Sequence, residues 1–106
     1  MEHISFELEA KTPNTEFRES YALTGVVSSG NLEVLIERKD LGGKCCFEID
    51  TVAEGFLKTW EAVVNDFMDR HQPANLLVSF NDYAASPQVV SLRLDQAFEE
   101  LKGGAQ

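Results

Sequence analysis

The side chains in this chain with reactive chemistry are few and dispersed. They are His3, His71, the adjacent pair Cys45 and Cys46, and Ser29, which stands beside Gly30 in a short polar interval between two apolar runs. The histidines are far apart and have no partners at metal-ligand spacing, so they read as ordinary surface or helix-end residues; His71 near a helix carboxyl terminus also suits the macrodipole. The two cysteines are neighbours in a strand-like segment and therefore point to opposite faces, badly placed to bond with each other. With no second pair, they suggest neither a secreted disulfide scaffold nor a zinc site. A nucleophilic cysteine needs an activating base, and none can be assigned to either. There is no phosphate-cradling glycine-rich loop with a lysine and no nucleophile elbow. The sequence assigns no catalytic residue and no metal ligand.

Ser29 remains. The run Gly25-Val26-Val27-Ser28-Ser29-Gly30-Asn31-Leu32-Glu33-Val34 is two apolar strand-like segments joined by small polar residues. Gly and Asn tolerate positive φ at little steric cost, so the interval reads as a hairpin turn with Ser29 projecting from the bend. Two readings of such a serine stand side by side. It can satisfy local backbone groups, as most turn serines do, or it can offer an exposed hydroxyl to a modifying enzyme.

The elements that must position this turn are legible from their periods. Ile4, Phe6 and Leu8 alternate with polar residues, as in a half-buried strand. Lys11 to Ser20, with Pro13 and several charges, reads as a loop. Tyr21 to Val27 and Leu32 to Arg38 form the two sides of the hairpin. Asp40, Gly42 and Gly43 mark another reversal before a strand from Lys44 to Thr51, with Phe47 and Ile49 on one face. Between Glu54 and His71 the period changes to three and four: Phe56, Leu57, Trp60, Val63, Val64, Phe67 and Met68 define an amphipathic helix. Burying such side chains stabilises by about 1.5–3 kcal/mol each before entropy is subtracted, which makes this helix the main cover of the sheet. Its aromatic residues, at helical spacing, read as core packing rather than a ligand box.

Pro73 closes that region, and Leu76, Val78 and Phe80 give a last strand ending at Asn81-Asp82. Ser86-Pro87 is a helix start, since serine caps free amides and proline's missing donor is harmless in the first turn. Val90, Leu94, Ala97, Phe98 and Leu101 form one helical face, although Val90, Leu92 and Leu94 also alternate as a strand would. Residues 103–106 should fray. The expected fold is α+β: a mainly antiparallel sheet of about five strands with two amphipathic helices, in the order ββββαβα, within a single domain spanning residues 1–106.

Composition narrows the partners. Acidic residues outnumber basic ones 18 to 9, for a formal charge of −9, a surface that would repel nucleic-acid phosphates. Such a surface suits association with basic patches on proteins, or serves solubility alone. No segment approaches the roughly 20 apolar residues that cross a bilayer, and the amino terminus lacks the basic start and apolar stretch of a signal peptide. A cytoplasmic protein without nucleic-acid or membrane partners is expected.

The segment Gly25–Val34 resembles the prosthetic-group attachment segment of the malonate decarboxylase acyl carrier (delta) subunit, in which Ser-Gly-Asp introduces a Leu-Glu-Val strand. Two further blocks match in order. Ser79 to Pro87 (Ser-Phe-Asn-Asp-Tyr-Ala-Ala-Ser-Pro) resembles that family's strand-and-turn segment, and Val89 to Glu100 resembles its closing helix. With Trp60 in the central helix, the likeness extends from about Leu23 onward. Ser28, Asn31 and Ala84 depart from the family's glycine, aspartate and glycine.

The resemblance implies that Ser29 is the covalent attachment point of a 2'-(5''-phosphoribosyl)-3'-dephospho-coenzyme A arm, flanked in its turn by Gly30 and Asn31. It implies acetyl and malonyl thioesters on that arm. It also implies as partners an acetyl/malonyl transferase subunit, decarboxylase subunits and a prosthetic-group transferase. The helical Asp-Ser-Leu site of pantetheine carriers is missing, so a carrier here would be of the turn-serine kind. A citrate lyase-type acyl carrier and an unmodified acidic protein-binding module remain alternatives.

Overall fold

The computed structural model describes residues 1–14, 16–25 and 31–103. Strands β1 (Glu2–Glu9), β2 (Tyr21–Thr24), β3 (Leu32–Arg38) and β4 (Lys44–Thr51) precede helix α1 (Leu57–His71), strand β5 (Leu76–Asp82) and helix α2 (Pro87–Leu101). The expected ββββαβα order and the five-stranded sheet are borne out. The strands lie in the order β1-β4-β5-β3-β2. All neighbours are antiparallel except β4 and β5, which run parallel and are joined through α1. β5 therefore inserts between β3 and β4, which the reversal at Asp40–Gly43 leaves unpaired with each other.

The alternation read from the sequence fixes which face is covered. Ile4, Val34, Ile36, Cys45, Phe47, Ile49, Leu76, Val78 and Phe80 point inward and are buried, while His3, Ser5, Glu7 and Glu9 of β1 point outward. Both helices cover the inner face, α2 over β2 and β3 and α1 beside it. T-shaped aromatic pairs join the helices to the sheet, Phe47–Phe67 at 6.1 Å and Trp60–Phe80 at 5.4 Å between centroids, and to each other, Phe67–Phe98 at 5.3 Å. Such pairs add about 0.5–1.5 kcal/mol each beyond their buried area.

Two expectations need correction. Helix α1 starts at Leu57, not Glu54, because Gly55 adopts φ +84, outside the helical region. Phe56 and Leu57, expected on the apolar face, are consequently exposed, whereas Trp60, Val63, Val64, Phe67 and Met68 are buried as their spacing requires. Strand β2 stops at Thr24, where Gly25 turns to φ +81; Val26 and Val27 lie outside the described residues. The described part of Lys11–Ser20 is irregular, as expected of a loop, and it packs against the core. Phe17 is buried against Phe98 at 5.6 Å, and the Arg18 and Glu19 amides donate to the Leu101 carbonyl.

At α2 the helical period prevails over the strand-like alternation from the first turn. Ser86 Oγ accepts from the Val89 amide at 3.3 Å, Pro87 opens the helix, and Leu92 is exposed while Val90 and Leu94 are buried. Gly103 still donates to the Glu100 carbonyl at 3.1 Å; residues 104–106 lie outside the described residues.

Candidate functional site

The register places the hairpin end of β3 beside the carboxyl ends of two other strands. Leu32, the first residue of β3, pairs with Asp82 at the end of β5, and Asp82 pairs with Thr51 at the end of β4. The 25–31 connection, the β4–α1 loop and the β5–α2 turn thus share one end of the sheet. Ser28, Ser29 and Gly30 lie outside the described residues; Gly25 and Asn31, which bracket them, are described.

Both bracketing residues are left-handed, Gly25 at φ +81 and Asn31 at φ 60. Asn31 is exposed, and its carbonyl accepts from the Tyr83 amide at 2.8 Å, tying the hairpin to the β5–α2 turn. A Cβ on Gly25 would fall within van der Waals contact of the Leu32 carbonyl oxygen and of the Arg93 guanidinium. Arg93 of α2 engages both legs of the hairpin: its carbonyl accepts from Thr24 Oγ1 at 3.0 Å, and its Nη1 lies 3.4 Å from the Leu32 carbonyl oxygen. The stem is therefore anchored to a packed helix on one side and to a strand-to-helix turn on the other.

That turn is built on a buried carboxylate. Asp82 is 3% exposed and Thr51 fully buried. Thr51 Oγ1 donates to Asp82 Oδ2 at 2.7 Å, the Ala85 amide donates to Oδ1 at 2.9 Å, and the Ala53 amide donates to Thr51 Oγ1 at 3.1 Å. A buried charge without such donors would be strongly destabilising; here the pair ties the loops after β4 and β5 together. Asp82 also lines a pocket of about 290 Å³ between the two loops, whose walls are otherwise mainly apolar and include Ala53, Phe56, Trp60, Ala85 and Val90.

Of the remaining reactive side chains, Cys45 and Cys46 lie at the opposite end of β4, and His3 sits near this end but on the outward face of the sheet. Cys45 is buried and Cys46 lies on the opposite face of β4, as expected of neighbours in a strand. Burial, with Cys46 beside it, pushes the Cys45 thiol far up; partial burial and then the charge of Glu7 raise Cys46. Both therefore stay protonated at neutral pH, contrary to what a nucleophile needs. His3 bridges two carboxylates on the open face, with Nδ1 2.7 Å from Asp50 and Nε2 2.8 Å from Glu48, and these hydrogen bonds raise its pKa. His71, the last residue of α1, packs against Phe98 at 4.5 Å and faces Asp95 at 3.3 Å.

The groups that sequence reasoning missed are Thr51, Asp82, Thr24 and Arg93. For Asp82 a signal existed: an Asn-Asp pair at the end of a strand and shortly before a helix cap is where a carboxylate can accept from turn amides. Arg93, on a helix far along the chain, carried none.

Known proteins share much of this sequence and fold. Residues 19–101 match a family model described as malonate decarboxylase delta subunit (MdcD), an acyl carrier protein. The chain is similar to the malonate decarboxylase acyl carrier protein of Xanthomonas campestris pv. campestris (strain B100), 54% identical over 83 residues covering 78% of this chain and 79% of the relative. It is similar to that of Stenotrophomonas maltophilia (strain R551-3), 44% identical over 104 residues covering 98% and 97%. Among solved structures, it resembles a chain in a Pseudomonas malonate decarboxylase hetero-tetramer in complex with malonate. The TM-score is 0.81 at 38% identity, over 95% of this chain and 99% of that one.

Proposed function

The chain belongs to the malonate decarboxylase delta-subunit family of acyl carrier proteins, and from that membership we propose that Ser29 carries a phosphoribosyl dephospho-coenzyme A arm through a phosphodiester. It is a non-catalytic carrier subunit. The thiol of such an arm would supply the thioester linkage on which malonyl replaces acetyl, the acetyl leaving as acetate, and on which loss of carbon dioxide with uptake of a proton regenerates acetyl. The partners are the acetyl/malonyl transferase subunit, the decarboxylase subunits and the prosthetic-group transferase, and the place of action is the cytoplasm. A Pseudomonas counterpart crystallised within a hetero-tetramer supports the assembly, and the shared description of the relatives favours the malonate branch over the citrate one.

The observation that carries the reading is the family match over residues 19–101, which spans the hairpin of Ser29. The protein's own contribution is physical. A tethered thioester meets each partner's active site as an intramolecular reactant, so effective concentration replaces diffusion. For that, the tether must leave from a fixed point on a stable body. Gly25, Asn31, Thr24 and Arg93 fix the two described ends of the 25–31 connection, which fits an attachment residue between them in sequence.

The test is the intact mass of the wild type and of the Ser28→Ala and Ser29→Ala variants, each co-expressed with the cofactor-synthesis and transfer genes. The expected result is an increment of one arm on the wild type and on Ser28→Ala, absent from Ser29→Ala. Loss with Ser28→Ala alone would move the site by one residue. No increment in any sample, with the transferase active on a known carrier, would leave an acidic protein-binding module as the better account. Ser29→Ala should cost within about 0.5 kcal/mol of stability, so urea unfolding separates a lost attachment site from a lost fold.

A further inference from the structure

We infer that the pocket lined by Trp60, Ala53, Val90 and Asp82 receives the acyl end of the carrier's own arm, and that it takes the neutral acetyl thioester in preference to the anionic malonyl thioester. The inference rests on the carrier reading above.

Position is the first argument. Tyr83, whose amide donates to Asn31 at the root of the attachment turn, is flanked in sequence by Asp82 and Ala84, both of which line the pocket. The mouth therefore lies within a few residues' length of the turn, at about 3.8 Å per residue. An arm that includes a phosphoribosyl group, an adenosine and a pantetheine chain is long enough to fold back across that gap.

Size and chemistry are the second. A pocket of about 290 Å³ holds several waters, since about 10–15 Å³ of such volume suffices for one. That admits an acetyl group, its sulfur and the adjoining methylenes, while the mainly apolar lining disfavours the charged phosphates and the ribose of the arm. The walls are mainly apolar, supplied by Ala53, Phe56, Trp60 and Val90, and suit a neutral methyl thioester, whose transfer from water is favourable.

Charge is the third. The polar group with the deepest burial in the lining is the Asp82 carboxylate. Its two oxygens face a hydroxyl and an amide, neutral donors that carry no countercharge. A malonyl carboxylate entering here would lose its hydration and meet a like charge at low effective dielectric. Binding of the malonyl form should thus fall by at least about tenfold relative to acetyl. The consequence is a carrier that shelters its acetyl thioester from water and frees the arm once acetyl has been exchanged for malonyl, when the arm must reach the decarboxylase. The like charge enforces the difference between the two loading states without any movement of the body.

The test uses the full chain without an arm, so that it is independent of attachment, and free S-acetyl-N-acetylcysteamine and S-malonyl-N-acetylcysteamine as probes. Trp60 is the single tryptophan, so its indole N–H gives one unambiguous signal in a ¹H–¹⁵N spectrum. Saturable shifts at Trp60 and Val90 with the acetyl probe, and at least about tenfold weaker ones with the malonyl probe, are expected. Ala53→Leu, which fills the pocket, should abolish them while leaving the rest of the spectrum dispersed. Asp82→Asn keeps an acceptor for the Ala85 amide and offers a donor to Thr51 Oγ1; it should bring the malonyl probe to within about threefold of the acetyl one.

No saturable shift with the acetyl probe, equal binding of both probes to the wild type, or unchanged shifts in Ala53→Leu would each overturn the proposal. Probe binding by a protein that gains no mass increment when co-expressed with an active prosthetic-group transferase would sink the carrier reading and leave the pocket. A protein that gains the increment there, but whose unarmed form fails the titration, would do the reverse.

Discussion

Replacing Gly25 by alanine isolates a close backbone contact at the end of β2. Gly25 has φ +81, and an added Cβ would press on the Leu32 carbonyl oxygen, part of a fully buried residue at the start of a central strand. The left-handed conformation alone costs a non-glycine residue about 1–2 kcal/mol. The second contact, with the Arg93 guanidinium, relieves itself by rotating a side chain. The Leu32 carbonyl cannot withdraw without disturbing the β3–β5 ladder, and overpacking of this kind costs about 1–3 kcal/mol more. The sum is about 2–5 kcal/mol, a large share of the roughly 5–15 kcal/mol that holds a domain of this size together.

Gly42→Ala is the matched control. Gly42 also has a positive φ, +68, but nothing lies within 4 Å of its added Cβ, so it should lose only the conformational term of about 1–2 kcal/mol. Urea unfolding of both variants at equal m-value gives the difference directly, and the expected gap is about 1–3 kcal/mol. Equal losses would refute the claim that Gly25 is required by close approach rather than by its φ angle alone.

Other expectations follow from single contacts. Ser86→Ala removes the hydroxyl that accepts from the Val89 amide and should cost about 1 kcal/mol, a fall in Tm of about 4–8 °C by calorimetry. The Asp50 and Glu48 hydrogen bonds raise the His3 pKa above 6.5, so the stability it contributes is full below pH 6.5 and is lost as pH rises through the folded value. Proton NMR titration of the His3 ring should give a midpoint above 6.5, and a midpoint at or below it would contradict the bridge. In the native protein at pH 7, iodoacetamide should label Cys46 slowly and Cys45 only after urea unfolding, as mass spectrometry of each thiol-bearing peptide would report, because both thiols are raised and Cys45 is buried.

The elements were legible where one period dominated. Trp60, Val63, Val64, Phe67 and Met68 recur at helical spacing, and all five are buried. Ser86-Pro87 announced a cap that the Val89 amide uses. Phe56 and Leu57 misled because their spacing fits the helix while Gly55, at φ +84, ends the turn before them; hydrophobic periodicity carries no information about φ. The insertion of β5 between β3 and β4 was illegible for a related reason. Alternation gives each strand a buried face but not a neighbour. At the site, the stem residues Gly25 and Asn31 stand where turn chemistry puts them, whereas Arg93 joins them only through α2, whose register on the sheet depends on the whole core. Phe17 was missed because an isolated aromatic in a charged loop has no period to betray it.

The mixed topology explains why the features at one end differ from those at the other. In a pure antiparallel meander successive connections alternate between the ends of the sheet. Here the crossover through α1 makes β4 and β5 parallel, so both finish at the end where β3 begins, and two loops join the 25–31 connection there. The opposite end is closed by local hydrogen bonds. Asn75 Oδ1 accepts from the Leu41 and Gly43 amides at 3.0 and 2.8 Å, and Asn14 pairs with Gln72 and Ala74 through backbone bonds of 2.8 and 3.1 Å. A non-local parallel pairing is slow to form because loop closure must precede its contacts. What it supplies in return is a single end at which the Thr51–Asp82 pair, the pocket and the anchored stem of the turn lie together. The proposed carrier role calls for an attachment point and discriminating contacts on one surface, and this crossover brings the described ends of the 25–31 connection and the pocket together without lengthening any loop.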